Sequence, residues 1–174
     1  MSVTLTDIYW SIFEDKNWTL HLAATDSGLC CITLPSETLD TFEHWMTKHF
    51  PHSRLIHDES KLLPYQQQLV EYFAGTRREF AFPLDLRGTP FQIAVWQALL
   101  QIPYGETRSY SDIATTIGRA TAVRAVGAAN GANPIPFVIP CHRVIGKNGT
   151  LTGYRGGLDV KAELLRLEGI QSVV

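Results

Sequence analysis

The sequence predicts an α+β protein of two small domains, the first carrying a short antiparallel sheet and the second mostly helical. Three features lead there. The first 35 residues read as strands broken by polar turns, and apolar residues then recur at helical spacing. Beyond Arg87-Gly88 the chain reads as helix, short glycine-containing turn, helix. With 174 residues, 45% of them hydrophobic, there is enough apolar content to bury a core.

Taken in order, Ile8 to Phe13, Trp18 to Ala24 and Leu29 to Leu34 are three strands of a meander. The turns between them are Glu14-Asp15-Lys16-Asn17 and Thr25-Asp26-Ser27-Gly28. Leu39, Phe42, Trp45 or Met46 and Phe50 then share one helical face, behind Ser36 as cap. A second helix is expected from Pro64 to Ala74, with Leu69, Tyr72 and Phe73 apolar and Gly75 as its stop. Phe80 to Leu86 runs extended up to the domain boundary, which leaves residues 1–86 as a structural domain and residues 87–174 as a second.

In that second domain Thr89-Pro90 starts a helix with Phe91, Val95 and Leu99 on one stripe, because proline suits a first helical turn. Pro103-Tyr104-Gly105-Glu106 is a turn. Ser109 caps a short helix, Asp112 closes a shortened capping box, and Gly118 ends it. Gly118-Arg119-Ala120 leads to another helix beginning near Thr121, the helix-turn-helix pattern. The last helix has Val160, Leu164 and Leu167 as its apolar side and Gly169 as its stop.

The formal charge of −2 is unevenly spread. Residues 1–85 hold six cations and twelve anions, whereas residues 86–174 hold nine cations and five anions. A basic half beside an acidic one suits a chain of which one domain meets a polyanion. No apolar run approaches the roughly 18 residues of a spanning helix, so a transmembrane protein is excluded and no membrane partner is expected. The start, Met1-Ser2-Val3-Thr4-Leu5-Thr6-Asp7, lacks the basic residues and apolar stretch of a secretory leader. Three cysteines, two of them adjacent as Cys30-Cys31, form neither a disulfide framework nor a Cys-x-x-Cys pair. That usage points to the reducing cytoplasm and to thiols that are reactive or buried.

The helix from Thr121 to Asn130 is almost all small residues, with Arg124 as its one long cation. Two readings stand side by side: its Ala/Gly face packs on a neighbouring helix, or it presses into a nucleic-acid groove with Arg124 as probe. The most informative stretch runs from Asn133 to Gly146. Pro134, Pro136 and Pro140 restrict an apolar run that delivers Cys141 in a preset place, followed at once by His142 and Arg143. An imidazole and a guanidinium that close can lower a thiol's pKa and supply a base. On an extended segment, however, Cys141 and His142 point to opposite sides, so contact needs a turn or a bridging water. Glu168, at a helix C-terminus where a carboxylate is disfavoured, is a candidate third group to orient the imidazole.

These residues resemble the O6-alkylguanine-DNA alkyltransferase family. The match covers nearly all of the C-terminal half. It rests on Pro140-Cys141-His142-Arg143-Val144-Ile145, Tyr104-Gly105, Ser109-Tyr110, Arg124-Ala125-Val126-Gly127, Asn133-Pro134, Gly153-Tyr154-Arg155-Gly156-Gly157, and Lys161 with Leu164-Leu165. The N-terminal half is similar only in layout. The resemblance implies a ribonuclease-H-like first domain and a winged-helix-like second one. It further implies that Cys141 takes the alkyl group from guanine O6, that His142 is the base through a water, that Glu168 orients His142, and that Asn133 braces the turn. A thioether has no good leaving group, so one transfer per molecule is expected.

By the same resemblance the partner is double-stranded DNA carrying O6-alkylguanine, with O4-alkylthymine as a further candidate, and the nucleotide must leave the stack to react. Arg124 would fill the gap, and Tyr110 would push the phosphate and touch the flipped base. Ala122, Ala125 and Gly127 would let the helix enter the minor groove. The backbone at Cys141 and Val144 would meet the guanine amino edge, with Tyr154 and Arg155 on a loop closing the pocket. Many members of the family have a small residue in place of Arg155, and several an apolar one in place of Asn130, which leaves alkyl-size preference open. Some bind zinc in the first domain, but Cys30, Cys31 and His21 lack ligand spacing, so neither a metal nor another cofactor is expected. His44, His49, His52 and His57 read as surface residues. The expected state is a monomer, with loading of several copies per DNA left open, and affinity should be modest and insensitive to base sequence. Two other readings are a lesion-binding protein of the same fold and a cysteine hydrolase using Cys141, His142 and Glu168.

Overall fold

A computed structural model describes residues 4–171 and divides the chain into two compact units, with the division between Arg87 and Gly88. Met1, Ser2 and Val3, part of the start read above for a leader, lie outside the described residues. In the first unit, strands β1 (Thr6–Asp15), β2 (Trp18–Thr25) and β3 (Gly28–Ile32) form the meander. Trp10 lies opposite Ala23, and the ladder to β3 shifts register between Ala23 and Ala24. The sheet also has a fourth strand that the sequence reading did not mark. Following helix α1 (Leu39–His49), β4 (Ser53–His57) pairs parallel to β1, giving the order β3-β2-β1-β4. An edge strand of five half-buried or exposed residues has little apolar alternation to betray it.

One face of the sheet packs on α1, where Ile8, Ala23, Cys30, Cys31, Phe42, Met46 and Phe50 form a core. Both cysteines are thus packing residues, and the Cys30 thiol donates to the Ala23 carbonyl. Ser11, one residue on from Trp10 and so on the opposite face, accepts a 2.6 Å hydrogen bond from Gln66 of helix α2 (Glu59–Phe73). Two helix starts differ from expectation. The cap of α1 is Thr38 rather than Ser36, since its extended backbone lets the hydroxyl accept from the Thr41 amide, and Leu39 is left exposed. Helix α2 begins at Glu59 rather than Pro64. Asp58 caps it through the Lys61 amide and Leu62 is buried, so the first turn holds even though Pro64 inside the helix offers no N–H.

The second unit is built on helices α3 (Pro90–Leu100), α4 (Tyr110–Thr116), α5 (Val123–Gly131) and α6 (Leu158–Leu167). Thr89 caps α3 with Gln92 in a capping box and proline at the first turn, and Ser109 with Asp112 does the same for α4. Val95, Trp96, Leu99, Ile113, Ala114, Val126 and Ala129 are buried, and the Trp96 indole N–H donates to the Ala129 carbonyl at 2.8 Å. Gly118, at φ +73°, turns the chain from α4 toward α5. Helix α5 starts at Val123, and Ala122 before it gives no side-chain cap. A two-residue parallel pair, β5 (Arg108–Ser109) with β6 (Val144–Ile145), sits beside α4 and the cysteine turn. Among the described residues no helix is long and apolar enough to cross a membrane.

Candidate active site

The run from Asn133 to Pro140 takes no regular structure, yet residues 133–144 are all buried. Its backbone groups therefore need internal partners. Asn133 supplies two of them: its side-chain oxygen accepts from the Ile135 amide at 3.0 Å and its amide donates to the Ile139 carbonyl at 2.8 Å. Phe137 is held at φ +72°, a strained conformation for a non-glycine residue and one that active sites often store. The run ends in a single 3₁₀ turn, Cys141–Arg143. A turn is what adjacent residues need if they are to serve one site.

Glu168 lies just past α6 with its side chain fully buried. Its carboxylate accepts from His142 Nε2 at 2.7 Å, from Arg143 Nε and Nη2 at 2.8 and 3.1 Å, and from the Gly105 amide at 3.1 Å. Burial alone would raise the Glu168 pKa, but the bonds from His142 and Arg143 outweigh it and hold the group down at about 2. A carboxylate can only accept, so His142 presents Nε2–H to Glu168 and keeps the lone pair on Nδ1. Burial lowers the His142 pKa, against the pull of Glu168, so the ring is neutral at physiological pH.

The thiol behaves differently from the sequence expectation. Burial pushes the Cys141 pKa up, with the Asn133 hydrogen bond and the Arg155 and Lys161 charges pulling the other way. Arg143 does not activate it, because its guanidinium is spent on Glu168 and, at 2.6 Å, on the Ile102 carbonyl. A neutral buried thiol needs a base before it can act as a nucleophile.

The structure thus gathers Cys141, His142, Glu168 and Asn133, with the Val144 carbonyl beside them. That carbonyl accepts at 2.6 Å from Lys161, whose buried ammonium also donates to Thr152 at 2.9 Å. Burial lowers the Lys161 pKa to about 8. Two of these partners went unassigned in the sequence reading: Arg143 as the clamp on Glu168, and Lys161 as an anchor. The signal was there. Lys161, Leu164, Leu165 and Glu168 follow the i, i+3, i+4, i+7 rule, and they, rather than Val160 and Leu167, form the buried side of α6.

The remaining predicted residues lie on α5, on α4 and on the loop before α6. On α5, Arg124 and Ala125 are exposed, as is Ala128, while Ala122 and Gly127 are half-buried. The side packed on the protein is Val126, Ala129 and Asn130, so most of the small-residue surface is not consumed by a neighbouring helix. A Cβ at Gly127 would lie 3.9 Å from the Tyr110 ring. Tyr110 donates to the Thr152 carbonyl at 3.3 Å, Tyr154 is half-buried, and Arg155 donates to the Gly131 and Asn133 carbonyls, both at 3.0 Å. Asn130 donates to the Cys141 carbonyl at 3.4 Å, which links α5 to the turn.

Residues 90–170 match the family described as 6-O-methylguanine DNA methyltransferase, DNA binding domain, and residues 8–86 match its ribonuclease-like domain. The inducible methylated-DNA–protein-cysteine methyltransferase of Bacillus subtilis is 48% identical over 168 residues, 97% of this chain and 94% of that protein. A methylated-DNA–protein-cysteine methyltransferase of Methanosarcina acetivorans is 43% identical over 164 residues, 93% of this chain and 99% of that protein. Among solved structures, Mycobacterium tuberculosis OGT in complex with DNA is similar with a TM-score of 0.79 and 44% identity, covering 93% of this chain and 92% of that one.

Proposed function

The chain belongs to the 6-O-methylguanine DNA methyltransferase family, and on that premise we propose that Cys141 is the acceptor through which it strips O6-alkyl groups from guanine in duplex DNA. It is a DNA-repair alkyltransferase of the methylated-DNA–protein-cysteine type. The observation that carries the Cys141 assignment is the buried turn in which the thiol is followed by a neutral histidine locked to an ionised carboxylate. His142 Nδ1 takes the thiol proton through a water. Sγ then attacks the alkyl carbon, the carbon–O6 bond breaks, and its electron pair leaves with the guanine, which takes up a proton. Glu168 stabilises the imidazolium formed. The thioether has no exit, so each molecule reacts once.

A buried thiol cannot reach a stacked base, so the nucleotide must flip out. Exposed Ala125 and Ala128 allow α5 a close approach to a groove, and Arg124 on the same helix is free to occupy the gap left in the stack. A shallow cleft beside β5 and β6 is lined by Arg108, Ser109, Ser111 and Lys147, cations and hydroxyls of the kind phosphates take, and by Asp112, whose carboxylate accepts from the Ser109 amide. Tyr110, bonded to the Thr152 carbonyl, and Tyr154 on the same loop are the aromatic rings that would meet the flipped nucleotide. The protein acts as a monomer in the cytoplasm.

Intact-protein mass spectrometry after incubation with a duplex holding one O6-methylguanine tests this. One added methyl per chain, mapped to Cys141 and absent in Cys141→Ser, is the expected result. Repaired DNA with an unchanged protein mass would mean a turnover enzyme instead.

A further inference from the structure

The loop from Gly146 to Gly157, between β6 and α6, is pinned at two points of different character. Thr152 is held from beneath, its carbonyl accepting from the buried Lys161 ammonium at 2.9 Å and from the Tyr110 hydroxyl at 3.3 Å. Three residues on, the tether is Arg155, an exposed side chain whose single Nη1 donates 3.0 Å hydrogen bonds to two carbonyls. One belongs to Gly131, the last residue of α5, and the other to Asn133, whose side chain braces the cysteine turn. Loop, recognition helix and nucleophile turn therefore meet on one guanidinium.

The local physics favours that seat. Carbonyls at a helix C-terminus lack partners within the helix and carry partial negative charge, which a cation satisfies. On either side of Tyr154-Arg155-Gly156 stand Gly153 at φ +36° and Gly157 at φ +95°, positions where the backbone can pivot. The Lys161 ammonium that holds the Thr152 and Gly153 carbonyls is buried and fixed, whereas the exposed Arg155 tether can let go. Release would free the loop from α5 without disturbing the fold.

We propose that Arg155 is a positioning residue that latches the 153–157 segment to the end of α5, so that docking of α5 on DNA sets the loop beside Cys141. The latch rests on the reading of α5 as the DNA-facing helix. It couples the loop that flanks the cysteine turn to the helix that meets the duplex.

Hydrogen exchange read by mass spectrometry on the full chain, with and without a lesion-free duplex, tests the latch. In the native protein the duplex slows exchange in α5 and in residues 150–157 together. In Arg155→Ala the slowing in α5 persists, but loop amides with duplex bound exchange at least about tenfold faster than in the native protein, since both hydrogen bonds of the Arg155 guanidinium are lost. Arg155→Lys restores part of the protection, since an ammonium also donates to two carbonyls. Loop protection by the duplex that is the same in Arg155→Ala as in the native protein overturns the latch. No protection of α5 in the native protein removes the DNA-facing reading and the latch with it.

Discussion

Glu168 ends a helix, where the backbone dipole disfavours a carboxylate, and its side chain is also fully buried. Either condition alone would cost stability. Four donors from three residues offset both, and Arg143 does so with a forked guanidinium that a lysine could not reproduce. Exchanging the carboxylate for an amide of the same shape separates charge from packing. Glu168→Gln leaves the Arg143 cation buried without its anion, at a cost of about 3–5 kcal/mol. It also deprives His142 of the charge that stabilises its protonated form. The expected outcome is a lower urea midpoint together with single-turnover transfer slowed about 10²-fold, the usual weight of a positioned base. A variant that loses stability but transfers at the native rate would leave Glu168 a structural residue only.

Among elements, α5 is the one whose composition and placement agree least with an ordinary core helix. Its buried side is narrow, Val126, Ala129 and Asn130, and the Trp96 indole on Ala129 and Asn130 on the Cys141 carbonyl tie that side inward. The rest of the helix is small residues with Arg124 exposed among them. A helix so arranged can approach a groove closely while carrying one long probe. Arg124→Ala should weaken repair of O6-methylguanine in duplex DNA far more than reaction with free O6-benzylguanine, which needs no base flipping. The measurement is the ratio of the two transfer rates, and equal losses would remove Arg124 from the flipping step. Folding is not at issue, because the side chain is on the surface.

At the scale of the molecule, the second unit keeps its ionisable cluster in the interior, and acid is the condition that attacks it. Folded Glu168 titrates at about 2 against an ordinary 4.5, so its contribution is complete above pH 4.5 and is lost as pH falls toward 2. The amount is on the order of 3 kcal/mol for a side chain this buried. His142 acts in the same sense: its folded pKa lies below 6.5, so below that pH the unfolded chain takes a proton that the folded one refuses. Chemical-denaturation stability should therefore be level near neutrality, begin to fall below pH 6.5 and fall more steeply below pH 4.5. In Glu168→Gln the steeper acid limb should shrink. A native profile flat down to pH 3 would contradict the assignment of a neutral histidine beside an ionised glutamate.

Much of this was legible along the chain, and the reason is local. Capping at Thr89 and Ser109, proline at the first turn of α3, glycine turns and the alternating meander are short-range physics, fixed by residues within a few positions of one another. Cys141, His142 and Glu168 could be named because their types and order carry chemistry. What lay beyond the sequence was long-range. Strand β4 exists because β1 offers it an edge more than forty residues away, and α2 extends back past Pro64 because Asp58 and buried Leu62 secure its first turn. The state of the thiol was likewise a tertiary matter: adjacency suggested a cysteine activated by its neighbours His142 and Arg143, but the guanidinium turns to Glu168, and burial pushes the Cys141 pKa up. By itself the sequence determined which groups are available. Only the tertiary structure decided which of them touch, because a charge's effect depends on distance and on how much water has been removed from around it.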